Sequence, residues 1–426
     1  MKQTVSYTRR CLGWPVSLIY VIFGLIFSGL VEAESAPVRI LSMHDPFARA
    51  WADNPELVVE RLGLELEVTL LDYESSNRAI AVNAARRVSA YDLVAMDVVW
   101  MGHYGRLNAL LPLDRLLLAR GMGSSDFISL AWDAGRISGL QLAVPIQPHP
   151  EVLLYRRSVL EALDAAPPAT TEEVIELASR ISEEVPGMYG ICWNAASGSA
   201  LGQQMLHFAG AFGGRVLADD GRFSVSDPAW REAFAYARAL VASSPPMIRD
   251  MAWDLRLEQF RRGSCGMTYA WGARTAALEK GTSPVAGDVG YLAAPVGTGQ
   301  VPATPMGVWM LAIPANLPVD RVAAAADALF HLTSQQGAEL LLDLGVSALP
   351  RPIQDDQQRY PVLDLVRSLD ASGELTTQMR PAVPDFQALS EVIGVEAHAA
   401  LFGKITDDSA LERIQQRLNA IGSSAQ

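Results

Sequence analysis

Carboxylates and indoles follow apolar runs at several points of the chain. The clearest case is residues 91–100, where an apolar run leads to Asp97 and Trp100. A run with little polar alternation predicts a strand that is buried on both faces. In an open α/β sheet, ligands lie beyond the carboxyl ends of the strands. Asp97 and Trp100 are therefore candidates for holding a polar ligand that also has apolar faces.

Other polar and aromatic residues occupy comparable positions, and several have a structural alternative. Trp100 and Trp309 suit the core equally well, because large aromatic side chains are commonly buried. His149, between two prolines, is either a ligand contact or a turn residue, and Arg351 is either a contact or the ion-pair partner of a carboxylate. Four further tryptophans are assigned to packing: Trp51, Trp132, Trp230 and Trp253. The candidates for ligand contact are His44, Asp45, Asp97, Trp100, His149, Trp193, Tyr269, Trp271, Trp309 and Arg351.

Catalytic and metal-binding motifs have little support in this sequence. The 6 histidines show no close metal-ligand spacing, and neither a Gly-x-Ser-x-Gly motif nor a phosphate-binding loop is present. We therefore expect no metal and no cofactor. One enzymatic alternative stays open, in which Asp45 and Asp97 form the carboxylate pair of an exported carbohydrate-active enzyme. Such a pair needs roughly 5 to 10 Å between the carboxyl groups and one raised pKa.

The elements that must position these residues alternate between strand and helix. Strand patterns at residues 38–41, 65–71 and 91–96 are separated by helical periodicity at 48–62 and 78–88. Such an order predicts βαβ units and an α/β fold built on a largely parallel sheet. A chain of 426 residues exceeds what one core usually fills, so two lobes are expected.

The N-terminal segment has the organisation of a secretory signal peptide. Basic residues precede an uncharged stretch at residues 11–31, and a cleavage site of the small-x-small type ends at Ala33. We expect cleavage after Ala33, which assigns residues 1–33 to the signal. An uncleaved membrane anchor is the alternative, because the stretch approaches the roughly 20 residues that span a bilayer. Both the Sec and the twin-arginine export routes stay open.

The charge balance is strongly acidic. The net charge is −13, and removal of residues 1–33 would make it −15. Phosphate binding needs a basic surface, so the composition argues against nucleic acid as a partner.

Two cysteines, Cys192 and Cys265, follow the signal segment. In an oxidising compartment they could pair. A large core needs no covalent bridge, however, and buried cysteines often act as small hydrophobic residues. We expect both to be unpaired and buried.

Short motifs along the chain resemble those of the extracellular solute-binding proteins, the sugar-binding type that serves ABC importers. Each motif is weak alone, but their order over some three hundred residues is specific. The matching segments are residues 92–97, 111–114, 144–145, 155–156, 167–173, 260–267, 307–314, 332–334, 349–351, 380–384 and 401–404.

The resemblance implies a periplasmic-binding-protein-like α/β fold of type II topology, with two lobes joined by a hinge of several crossovers. The lobes would be residues 34–147 with 292–345, and residues 148–291 with 346–426. Closure would turn on element ends near residues 144–150, 288–292 and 345–349. Positions such as Asp97, His149 and Trp271 lie at the cleft in the resembled family.

The resemblance also implies a function. Such proteins capture a sugar or polyol in the periplasm and deliver it to the permease subunits of an ABC importer, without chemistry on the ligand, and we expect a monomer. A sugar presents hydroxyl rims and apolar C–H faces. Its site therefore requires carboxylates and guanidinium groups at the edges and an indole beneath the ring.

Overall fold

The computed structural model of this chain describes residues 36–347 and 360–424. The signal peptide predicted at residues 1–33 and the candidate Arg351 lie outside these residues. The described strands are β1 (Val38–Met43), β2 (Leu66–Leu71), β3 (Leu93–Asp97), β4 (Arg136–Ile137), β5 (Leu140–Gln141), β6 (Val144–Arg156), β7 (Tyr189–Cys192), β8 (Cys265–Trp271), β9 (Val289–Leu292), β10 (Thr304–Ala312) and β11 (Leu375–Thr376).

Helices connect and cover these strands. They are α1 (Pro46–Asp53), α2 (Pro55–Leu62), α3 (Tyr73–Ala84), α4 (Met101–Arg106), α5 (Asp114–Arg120), α6 (Ser129–Ala134), α7 (Arg157–Ala162), α8 (Thr171–Glu184), α9 (Ser199–Ala211), α10 (Pro228–Ala242), α11 (Trp253–Arg261), α12 (Ala276–Glu279), α13 (Val319–Leu332), α14 (Gln335–Asp343), α15 (Pro361–Ser372), α16 (Phe386–Leu401) and α17 (Asp407–Ser424). Short 3₁₀ turns follow β3 at Val98–Trp100 and β8 at Gly272–Arg274.

The sheet has the strand order β2-β1-β3-β10-β6-β8-β7, with β11 beside β10 and β9 beside β6. Strands β1, β2 and β3 are parallel, as the βαβ pattern predicts. Strand β10 runs antiparallel to β3 and to β6. Strand β10, which comes late in the sequence, therefore lies between β3 of the first βαβ units and β6.

The 13-residue strand β6 connects two parts of the sheet. Its first half pairs with β10, and its second half pairs with β8 and β9. Pro148 and Pro150 lie in the first half, where their missing N–H groups reduce the number of ladder hydrogen bonds. Strand β6 therefore connects the part of the sheet that contains β10 to the part that contains β8 and β9.

Helix boundaries differ from the prediction in two places. The helix predicted at residues 48–62 is divided into α1 and α2, because Pro55 occupies the first turn of α2 and cannot continue an earlier helix. The helix predicted at residues 78–88 begins earlier, at Tyr73. There the Asp72 carboxylate accepts a hydrogen bond from the Ser75 N–H, at 2.7 Å, and caps the helix.

A buried carboxylate connects strand β1 to helix α13. Asp92 is fully buried and accepts hydrogen bonds from Arg39 on β1 and from Arg321 on α13. Burial alone would raise the pKa of Asp92, but the hydrogen bonds from the two guanidinium groups outweigh it and hold the pKa well below its usual value.

Cys192 and Cys265 form a disulfide that joins the end of β7 to the start of β8, with their Cα atoms 5.9 Å apart. The expectation that both are unpaired was wrong. Both residues are buried, as expected, but their Cα separation also lies within the range that permits a disulfide. Among the described residues, none of the helices is both long and apolar enough to cross a membrane.

Candidate functional site

The sheet register brings polar and aromatic residues from neighbouring strands to one place. On β10, Trp309 is paired with Asp97 of β3 and with Gln147 of β6. Two residues earlier, Gly307 is paired with His149. Residues far apart in sequence therefore become neighbours because β10 lies between β3 and β6.

A cavity of about 420 Å³ opens at this position. This volume is within the usual range for small-molecule sites. Six of the candidates from the sequence line it: His44, Asp45, Asp97, His149, Trp271 and Trp309. Further walls come from the start of α3, from α9, from the start of α11 and from the segment before α16.

Asp97 is the centre of a buried polar network. Its Oδ2 accepts hydrogen bonds from the Tyr73 hydroxyl at 2.8 Å and from Arg380 Nη2 at 2.9 Å. Arg380 Nη2 also donates to Gln203 Oε1 at 3.1 Å. Asp97 Oδ1, Arg380 Nε and Arg380 Nη1 are buried and have no hydrogen-bond partner. Both sides of this ion pair therefore keep unused hydrogen-bonding capacity at the cavity.

Asp45 is a second buried carboxylate in the cavity wall. Asp45 is only 3% exposed, and its Oδ1 has no hydrogen-bond partner. Arg274 reaches Oδ2 at 3.4 Å and also binds the exposed Asp254 at 2.6 Å. Burial raises the pKa of Asp45 to about 6, although the Arg274 charge opposes this shift. The negative charge on Asp45 is thus poorly compensated.

His149 is held neutral. Burial lowers its pKa to about 4, and its Nδ1 lies 2.8 Å from the Gln147 carbonyl oxygen. Gly307 permits this arrangement, because a Cβ there would lie 2.5 Å from His149 Nε2. His149 therefore offers the cavity an uncharged imidazole at neutral pH.

The Trp271 indole is fixed by groups on several sides. The Arg380 guanidinium carbon lies 4.8 Å from the ring centroid, which is cation–π geometry. The rings of His149 and His207 meet it edge-on, with centroids at 5.2 and 5.5 Å. Behind it, Glu151 forms a buried ion pair with Arg256. Trp271 is therefore a rigid apolar surface within a polar wall.

A family model for bacterial extracellular solute-binding proteins matches residues 58–330. The chain belongs to this family. The order of short sequence motifs predicted this membership, and the prediction is confirmed.

Two relatives of this solute-binding protein have similar sequences over long stretches. A probable ABC transporter-binding protein of Deinococcus radiodurans is 26% identical over 257 residues, which are 59% of this chain and 60% of that protein, so the match spans less than two thirds of the relative. A mannitol-binding protein of Pseudomonas aeruginosa is 24% identical over 376 residues, which are 83% of this chain and 85% of that protein.

Solved structures share the fold of this solute-binding protein. A solute-binding protein of Agrobacterium radiobacter K84 in complex with ribitol superposes with a TM-score of 0.84 at 24% identity, covering 91% of this chain and 99% of that one. Maltose-bound MalE3 of T. maritima has a TM-score of 0.80 at 21% identity, covering 90% and 100%. The predicted periplasmic-binding-protein-like α/β fold is confirmed.

Three of the ligand contacts proposed from the sequence of this binding protein lie away from the cavity wall. Trp100 packs behind it, with ring centroids 4.9 Å from Tyr73 and 5.5 Å from Trp309. Trp193 is fully buried and donates its indole N–H to Ser244 at 3.1 Å. Tyr269 bonds to the hydroxyl of another buried tyrosine at 2.7 Å. Their positions follow from packing that the strand patterns do not specify.

Several other cavity-lining residues were not proposed as ligand contacts from the sequence, and one was assigned to packing. Trp253, which the sequence assigned to packing, lines the wall at the start of α11 with φ of +31°, a strained value for a tryptophan. Arg380 belongs to a family motif but was not proposed for the site. The remaining additions are Met43, Asp72, Tyr73, Glu74, Gln203, Asp254, Ala273 and Arg274. No group of three or more metal-binding side chains occurs within residues 36–347 and 360–424.

Proposed function

We propose that this protein is the solute-binding component of an ABC importer and that its cavity captures a sugar or polyol. Among the described residues, the wall combines free acceptors, Asp45 Oδ1 and Asp97 Oδ1, with free donors, Nε and Nη1 of Arg380. A hydroxyl group both donates and accepts, so a polyhydroxylated ligand can satisfy both kinds of group. Unsatisfied buried polar groups are costly, which makes this pairing a source of affinity.

The aromatic residues support the same proposal. Trp271 and Trp309 give the cavity two indole surfaces, which suit the apolar C–H faces of a sugar. The names of similar proteins agree, since one relative is a mannitol-binding protein and one solved neighbour contains ribitol.

The mode of action is also a proposal. The chain would divide into lobes of residues 34–147 with 292–345 and of residues 148–291 with 346–426, which close on the ligand. The long strand β6, which serves both parts of the sheet, supports a crossover there. The closed monomer would deliver its ligand in the periplasm to permease subunits of the inner membrane. The family's extracellular role supports this location.

Calorimetric titration with a panel of neutral alditols and mono- and disaccharides tests the proposal. D-mannitol, ribitol and maltose belong in the panel. At least one member should bind and be recovered unchanged by chromatography. Conversion to a product would instead support the exported enzyme, in which Asp45 with its pKa of about 6 would act as the acid. Absence of binding across the panel would contradict the proposed ligand class.

A matched pair of variants locates the binding. Trp271→Ala should weaken binding of the tightest panel member by about 1 to 3 kcal/mol, the range for an important aromatic contact. Phe402→Ala is the control, because Arg249 lies over its ring at 4.9 Å and Phe402 does not line the cavity. It should leave the affinity unchanged. Equal affinities in the two variants would show that Trp271 is not a ligand contact.

A further inference from the structure

We propose that the preferred ligand carries a protonated amine beside its hydroxyl groups, as in an amino sugar or an amino alditol. The inference rests on the proposed function, because it concerns the same cavity. It starts from the balance of charges. Two arginines line the cavity, against five carboxylate side chains: Asp45, Asp72, Glu74, Asp97 and Asp254.

The cationic side chains in the wall are already engaged. Arg380 is bound to Asp97 at 2.9 Å. Arg274 lies closer to Asp254, at 2.6 Å, than to Asp45, at 3.4 Å. His149 adds no positive charge at neutral pH, because burial lowers its pKa to about 4. Among the cavity-lining residues, the counter-charge nearest to Asp45 is therefore the Arg274 guanidinium group, which lies closer to Asp254 than to Asp45.

Burial makes this imbalance significant. Asp45 is 3% exposed, lines the cavity and has an unpartnered Oδ1. Asp254 and Asp97 add repulsion, and burial is the largest cause of the raised pKa. An ammonium group placed against Oδ1 would supply both the missing donor and the missing charge. A hydroxyl group would supply the donor alone.

The surroundings also favour a cation over an anion. The Asp254 side chain is 73% exposed, and Asp72 and Glu74 are exposed at the same cavity. Carboxylates that line a cleft attract cationic ligands and repel anionic ones. The indole of Trp309, which lines the same cavity, offers an electron-rich ring that also favours a cation.

Calorimetry with two matched ligand pairs tests the inference. The pairs are D-mannitol with 1-amino-1-deoxy-D-mannitol and D-glucose with D-glucosamine, at pH 7.0 and low salt, where Asp45 is mostly charged and the amines are mostly protonated. In at least one pair the amine should bind at least tenfold more tightly. Asp45→Asn keeps an acceptor but removes the charge, so it should reduce this preference to less than about twofold. Glu412→Gln, the control, removes one negative charge at an exposed position of α17 and should leave the amine preference unchanged.

The outcomes separate this inference from the proposed function. If neutral sugars or polyols bind and no amine binds more tightly, the inference is wrong and the proposed function stands. If the amine preference survives in Asp45→Asn, the role given to Asp45 is wrong. If neither pair nor any member of the neutral panel binds, both proposals are overturned. Loss of the amine preference on lowering the pH through about 6 supports the inference, because Asp45 then becomes protonated.

Discussion

Gly307 on β10 gives the sharpest test of how the cavity wall is built. An added Cβ would lie 2.5 Å from His149 Nε2 and 2.6 Å from Arg380 Nη1, whereas ordinary contact begins at 3.4 Å. Gly307→Ala therefore requires each of these groups to move by about 0.8 to 0.9 Å. The strand itself should accept alanine, because Gly307 is not among the residues with positive φ.

The magnitude follows from the contacts of Arg380. Its Nη2 is held by Asp97 at 2.9 Å and by Gln203 at 3.1 Å, while its guanidinium carbon lies 4.8 Å from the Trp271 ring centroid. Retreat from a new methyl group must weaken at least one of these contacts. A hydrogen bond to a charged group contributes about 1.5 to 3 kcal/mol. The unpartnered Nη1, which is proposed to donate to the ligand, moves with the guanidinium group, so loss of that one hydrogen bond should weaken ligand binding roughly 10- to 150-fold.

The assay is calorimetric titration with the tightest member of the neutral panel, alongside thermal unfolding. Gly123→Ala is the control, because a Cβ there meets no atom within 4 Å and its φ of −158° is ordinary extended backbone. Gly123→Ala should bind as the unmodified protein does. Wild-type affinity in a folded Gly307→Ala variant would refute the reasoning about Arg380 and His149.

Two further predictions concern stability. Burial raises the pKa of Asp45 from its ordinary value of 3.8 to about 6, so its buried charge destabilises the fold above pH 6 by about 3 kcal/mol. Asp45→Asn should raise the free energy of urea unfolding by up to that amount at pH 7.5, and the gain should vanish as the pH falls towards 4; a pH-independent difference would contradict this. The disulfide joins cysteines 73 residues apart, so the double variant Cys192→Ala/Cys265→Ala should lose about 2 to 5 kcal/mol of stability. Its ligand affinity should be retained, and an unchanged unfolding midpoint would show that the bridge is not stabilising.

The sequence alone determined the class of fold and the strand ends that matter. Periodicity and apolar runs depend on neighbouring residues, so they located β1, β2 and β3 to within a few residues. The order of the motifs was enough to recognise the family. Asp97 and Trp271 could be proposed for one site because a carboxylate and an indole at strand ends are visible without coordinates. Trp309 lies inside β10 and was proposed from its nearness to Gly307.

Only the tertiary structure decided which of these residues share a wall. The pairing of β10 with both β3 and β6 placed His149 near Asp97, and the segment before α16 brought Arg380 between Asp97 and Trp271. No local pattern predicts contacts between residues almost 300 positions apart. Trp193 shows the same limit, because its burial depends on its neighbours in the fold. The sequence therefore supplied the chemical groups, while long-range strand pairing and packing selected those that form the cavity.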